Sequence, residues 1–96
     1  MNRIDKVKAV AEKHGATLGE YLALHIATAF PMRDEEAANL MAKALAGSAH
    51  ANIDCHAAIQ NCFYKAWMER TPAGMLALTR SGRMVAHEIA GELTEP

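Results

Sequence analysis

The stretch "IDCHAAIQNC", residues 53–62, gathers the side chains of this chain best suited to chemistry: Asp54, Cys55, His56 and Cys62. Such a group could hold zinc, run thiol redox chemistry, or pack as successive turns of a buried helix. Spacing decides among these. On a helix, Cys55 and Cys62 share a face but lie ~10 Å apart along the axis, whereas a disulfide needs Cα atoms within ~7 Å. Metal ligands on one helix converge at spacings of three or four. At those spacings Cys55 meets Ala51, Asn52, Ala58 and Ile59, and His56 meets Asn52, Ile53, Ile59 and Gln60. Cys62 meets Ala58, Ile59, Lys65 and Ala66, so no good zinc ligand is supplied anywhere in this pattern. His50 and Asp54 would converge only on a helix that starts early. The spacing therefore predicts no metal or cofactor site, and makes Cys55, Ile59 and Cys62 one buried stripe. A redox role would require Asp54 to cap the helix and leave Cys55 at its positive end with a lowered pKa.

Catalytic signatures are missing too. There is no glycine-rich phosphate loop, no nucleophile elbow and no HExxH. The histidines are scattered at 14, 25, 50, 56 and 87, and the acidic run Asp34, Glu35, Glu36 is what a helix start calls for. His25, inside an apolar run, is expected to be a hydrogen-bonded core histidine. Arg80 and Arg83 around Gly82 are expected to face a helix C-terminus and water. No enzymatic activity is expected.

The elements that position these residues are predicted to be helices. The chain has 96 residues, enough for one domain over 1–96. It is rich in alanine, and glycine and proline fall at segment borders. A first helix over Arg3–Lys13 presents Ile4, Val7, Val10, Ala11 and His14, and Gly15 ends it. A second opens at Thr17 with a capping box to Glu20 and runs to Phe30, before Pro31. Its Leu18, Tyr21, Leu22, Leu24 and Ile26 surround the axis, as in a central buried helix. A third begins near "RDEEA", with Asp34 as its expected cap, and stops at Gly47. A fourth starts at Ser48 or Asp54 and runs to Thr71. Thr71 and Pro72 read as a fresh helix start, Gly82 as a break or kink, and Val85, Ala86, Ile89 and Leu93 as the stripe of a last helix. No alternating strand pattern is visible. The expected fold is all-α: a compact bundle of five or six short helices with no sheet.

Charge and leader signals bound the setting. Ten Lys and Arg against eleven Asp and Glu give a net charge of −1, which argues against a protein built to coat nucleic acid or a membrane. The N-terminal "MNRIDKVKAV" has no apolar leader core. The apolar run "YLALHIATAF" is shorter than the ~20 residues a bilayer requires. Two cysteines without a leader fit free thiols, so the expected compartment is the cytoplasm, with no membrane association.

What remains is a surplus of oily surface. In "NCFYKAWMER" six of seven consecutive positions from Cys62 to Met68 are apolar or aromatic. At 100° per residue they surround a helix instead of striping it. Phe63, Tyr64, Trp67 and Met68, with Arg70 at the rim, are therefore the expected protein-interaction face. The expected function is a small binding module that regulates, inhibits or adapts a larger protein complex, or that forms a homodimer. A phage or other mobile-element origin is compatible with that class. The alternative is a helix-turn-helix DNA-binding regulator using residues 4–30, whose rhythm fits around Gly15. Nucleic acid is the less favoured partner, because the second helix offers few base-reading side chains and carries Glu20.

Overall fold

Thr17 and Glu20 cap each other as their spacing predicts. The Thr17 hydroxyl accepts from the Glu20 amide (3.1 Å), and the Glu20 carboxylate accepts from the Thr17 amide (3.0 Å). The computed structural model describes residues 3–94. In chain order it has α1 (Arg3–Lys13), α2 (Leu18–Ala29), α3 (Asp34–Leu45), α4 (Cys55–Tyr64), β1 (Met68–Arg70), β2 (Leu76–Leu78) and α5 (Arg80–Thr94). The radius of gyration, 12.5 Å, is that of a compact chain of this length.

The molecule is mostly helical, but the expectation of no sheet is corrected. β1 and β2 form an antiparallel hairpin with Met68 opposite Leu78, Glu69 opposite Ala77 and Arg70 opposite Leu76. Thr71 and Pro72 begin its turn and not a helix. The Gly74 amide donates to the Thr71 carbonyl (2.8 Å), Pro72 presets the backbone at the second position, and Gly74 takes φ +82°. The hairpin is also tied to the α2–α3 connection, where the Leu76 amide donates to the Met32 carbonyl (2.8 Å).

The fourth helix stops at Tyr64, seven residues before the expected end. Its start is resolved in favour of Asp54, whose carboxylate accepts from the Ala57 amide at 3.0 Å. Gly82 neither breaks nor kinks anything; it lies inside a continuous α5. A Cβ there would sit 2.0 Å from the Trp67 carbonyl oxygen, so glycine lets the start of α5 press on the chain leading into β1. Thr79 caps this junction by accepting from the Gly82 amide (3.1 Å) while donating to the Ala66 carbonyl (2.6 Å).

Two core clusters result. In one, Leu24 from α2, Met41 from α3, Ile59 and Cys62 from α4 and Met68, Leu76 and Leu78 from the hairpin are packed out of water. In the other, Val10 and Ala11 of α1 meet Tyr21 of α2 and Ile89 of α5. Trp67 touches both clusters. Helix α2 is central only along its first half. Leu18 to Tyr21 are buried without a break, but His25, Thr28, Ala29 and Phe30 are exposed. His25 is thus a surface residue, not the expected core histidine.

Candidate functional site

The expected aromatic–methionine face does not form. Trp67 and Met68 lie beyond the end of α4. Met68 is 3 % exposed and belongs to the core of the hairpin. Trp67 is half-buried, with the Lys65 ammonium 4.7 Å from its ring centre. Phe63 is half-buried under the Arg70 guanidinium, 4.8 Å from its ring centre. Arg70 itself is held by Asp34 at the start of α3, through a two-pronged contact with one bond of 2.7 Å. Of the five expected residues only Tyr64, 87 % exposed at the last position of α4, is an open aromatic surface.

The thiols are placed by the same helix. Asp54 does cap it, and Cys55 does sit at its start, but the pKa moves the other way. Burial raises the Cys55 thiol, and the neighbouring Asp54 carboxylate raises it further. Cys62 is pushed up to about 12, first by burial and then by Glu20. Neither thiol is a ready nucleophile at neutral pH. His50 meets Asp5 of α1 (3.0 Å) and not Asp54. His14 lies between Glu88 (3.4 Å) and Glu92 (3.1 Å) of α5. Among the described residues no three histidine, cysteine or carboxylate side chains converge as a metal would require. Arg80 and Arg83 stand at the start of α5, not at a helix C-terminus.

The opposite side of α4 carries a polar face that the apolar pattern of the sequence does not mark. Ala58, Ile59 and Cys62 turn inward, which leaves His56, Ala57, Gln60, Asn61 and Tyr64 exposed. At 100° per residue these five fall within one contiguous arc. The arc carries an imidazole, two carboxamides and a phenol, all of them donors and acceptors, and the ten residues of α4 hold no formal charge except what His56 gains on protonation. The inward stripe at Cys55, Ile59 and Cys62 was the signal available, since its complement is this arc.

Helix α4 is fixed in this pose by close packing and by bonds at its end. It crosses α2 so closely that a Cβ on Gly19 would come within 2.9 Å of the Ala58 Cβ. Its end is clamped by Lys65, whose ammonium donates to the buried Glu20 carboxylate (2.7 Å) and to the Gly15 carbonyl (2.9 Å). Helices α2, α3 and α4 all pack on one another, and the hairpin follows directly. Arg70 is the last residue of β1, and Arg33 lies beside the hairpin turn, 3.2 Å from where a Gly74 Cβ would be. Glu35 and Glu36 in the first turn of α3 and Glu69 in β1 are exposed. No helix among the described residues is long and apolar enough to cross a membrane. The chain matches no protein-family model, and comparison with curated proteins and with solved structures likewise gives no match.

Proposed function

We propose that this protein binds duplex DNA as a helix-turn-helix module in which α3 and α4 form the pair, α4 reads the major groove, and the β1–β2 hairpin is a flanking wing. The observation that carries this reading is the outward arc of α4. Three mutually packed helices followed by a hairpin leave the third helix projecting, and that helix offers Gln60 and Asn61 for adenine edges, with His56 and Tyr64 beside them. No carboxylate interrupts the arc. With its side chains a helix is ~10–12 Å across, so α4 can lie in a major groove ~12 Å wide. This is a binding protein in our reading, not an enzyme.

Two features set it apart from the simplest motif. The connection from 46 to 54 is longer than the usual turn of ~3–4 residues. It is fastened to α1 through His50 and Asp5. The net charge of −1 also limits the phosphate contribution. Lys43 lies within the pair, and Arg33, Lys65 and Arg70 are the nearest cations in sequence to it, but Lys65 is already engaged by Glu20 and Arg70 by Asp34. Affinity should therefore depend on only a few phosphate contacts, each worth about −0.9 in the slope of log K against log salt.

The alternative helix pair, residues 4–30, fits poorly. The start of α2, which would have to enter the groove, is buried from Leu18 to Tyr21. A docking module built on Phe63, Tyr64, Trp67, Met68 and Arg70 has lost all but Tyr64 as open aromatic surface. The test is selection of duplexes from a random library at low salt, followed by anisotropy titration of Gln60→Ala and Asn61→Ala. Each should weaken binding by about tenfold to a hundredfold and relax the preferred sequence at one position. Far-UV circular dichroism should stay unchanged, since both side chains are exposed. Recovery of no preferred sequence, or equal affinity for the variants, would end this reading.

A further inference from the structure

Helix α5 carries its charges in the order its own dipole disfavours. Arg80 and Arg83 occupy the first turn, and Glu88 and Glu92 the second half. Cations at a helix N-terminus and anions toward the C-terminus both oppose the aligned peptide dipoles. Such an order gains if an identical helix lies alongside in the opposite direction, because each basic end then meets an acidic one.

The exposed side of α5 is shaped for that. Gly82, Ala86 and Ile89 face inward, whereas Arg80, Met84, His87 and Glu88 face out. Met84 is 56 % exposed in the middle of this face. It borders a groove of about 550 Å³ between α5 and α2, whose lining includes Tyr21, His25, Thr28, Arg80, Arg83 and Met84 but no carboxylate. Among the described residues Arg80 has no ion-pair partner, and Glu88 reaches only His14, at 3.4 Å.

We infer that the occupant of this face is a second copy of the chain, its α5 antiparallel to the first with the two-fold axis at Met84. That register sets Met84 against Met84 of the partner subunit. It sets Arg80 against Glu88 of the partner subunit, and the symmetry repeats the pair. An acidic peptide would satisfy Arg80 and Arg83 but would be repelled by Glu88; an antiparallel copy of the same helix answers both. Helix α5 packs on α1, α2 and β2 and not appreciably on α4, so such a dimer leaves the outward arc of α4 open. Where that arc reads DNA, as proposed above, the dimer would ask for an inverted repeat.

The test needs no DNA, so its failure is separable from failure of the DNA reading. Sedimentation equilibrium of the wild-type chain should give twice the 10.4 kDa chain mass. Arg80→Glu and Glu88→Arg should each weaken association by about tenfold or more, by placing like charges together twice. The double variant R80E/E88R should return it to within about threefold of wild type, the restoration that a direct pair requires. Met84→Glu should give monomer. A wild-type chain that stays monomeric at about 200 µM, well above the range of a specific dimer, overturns the proposal. So does a dimer that tolerates Met84→Glu, or a double variant no better than the single ones.

Discussion

Helices α1 and α4 end in the same way, yet only one of the two ends was readable. After α1 the Ala16 amide donates to the Ala11 carbonyl (3.0 Å) and the Gly15 amide to the Glu12 carbonyl (3.2 Å). After α4 the Trp67 amide donates to the Cys62 carbonyl (2.8 Å) and the Ala66 amide to the Phe63 carbonyl (3.0 Å). Both are Schellman closures, and both need a left-handed residue just beyond the helix. Gly15 supplies it at φ +80°, whereas at the second end Ala66 is forced to φ +60°. A Cβ in that region costs about 1–2 kcal/mol, so tertiary structure must impose the stop. The lesson is that a helix end can be written in the neighbours that press on it and leave no mark at the end itself.

Gly82 is the first such neighbour, and breaking it should have the largest effect. An added Cβ would meet the Trp67 carbonyl oxygen at 2.0 Å. Backbone cannot yield as a flexible side chain would, so Gly82→Ala should cost about 3 kcal/mol or more. That is a large part of the roughly 5–15 kcal/mol a domain of this kind has in total. Urea denaturation should show the loss. The control is Gly91→Ala, which meets nothing within 4 Å and replaces a poor helix former. It should stabilise slightly.

Lys65 is the second. Its ammonium is the partner of Glu20, which is 2 % exposed. Lys65→Met keeps much of the stem but strands a buried carboxylate, at a cost of about 2–3 kcal/mol. Adding Glu20→Gln removes the stranded charge and should recover about half of that. If the single variant costs less than about 0.5 kcal/mol, the clamp contributes no more than an exposed pair and the end of α4 is held by Gly82 and Thr79 alone.

The two left-handed residues give a direct contrast of opposite sign. Gly15→Ala should destabilise by about 1 kcal/mol, and Ala66→Gly should stabilise by about 0.5–1 kcal/mol. The surroundings of Gly15 are open, so its loss would report backbone strain without a clash. If Ala66→Gly also destabilises, the greater freedom of glycine in the unfolded chain outweighs the relief of strain.

These residues also explain how much was legible. The bounds of α1, the capping box of α2 and the start of α3 follow from local chemistry within four residues, and sequence carries that. The hairpin does not, because three-residue strands are too short for alternation to register and Thr71–Pro72 serves a turn as well as a helix. Without the stop at Ala66, the fourth helix ran on through Trp67 and Met68. An oily stretch that belongs to a helix end, a linker and a strand then has the pattern of one overloaded helix. The candidate reading surface was missed for the same reason. The apolar positions from 62 to 68 carry the stronger sequence signal, while His56, Gln60 and Asn61 are distinguished only by lying opposite a stripe whose inward direction tertiary packing decides.

The smallest expected effect concerns what joins the hairpin to α3. The Arg70 guanidinium bonds the Asp34 carboxyl and holds its pKa below the ordinary range. A carboxyl lowered on folding adds stability above its unfolded pKa of about 3.9, and that stability fades as pH falls through the lower folded value. The side chains are 45 % and 27 % exposed, so solvent screening keeps the contribution at about half a kcal/mol or less. Asp34→Asn should therefore be slightly less stable than wild type at pH 7, and the gap should close as pH falls below the unfolded pKa of about 3.9 and through the lower folded one. Glu92, lowered first by its bond from Lys13 and then by His14, titrates in the same direction in both proteins and cancels from the difference. A gap that persists unchanged to pH 2 would mean that Asp34 acts through its place at the start of α3 and not through Arg70. The hairpin would then owe its position to the Leu76–Met32 bond and to the packing of Met68, Leu76 and Leu78, with Arg70 left free for phosphate.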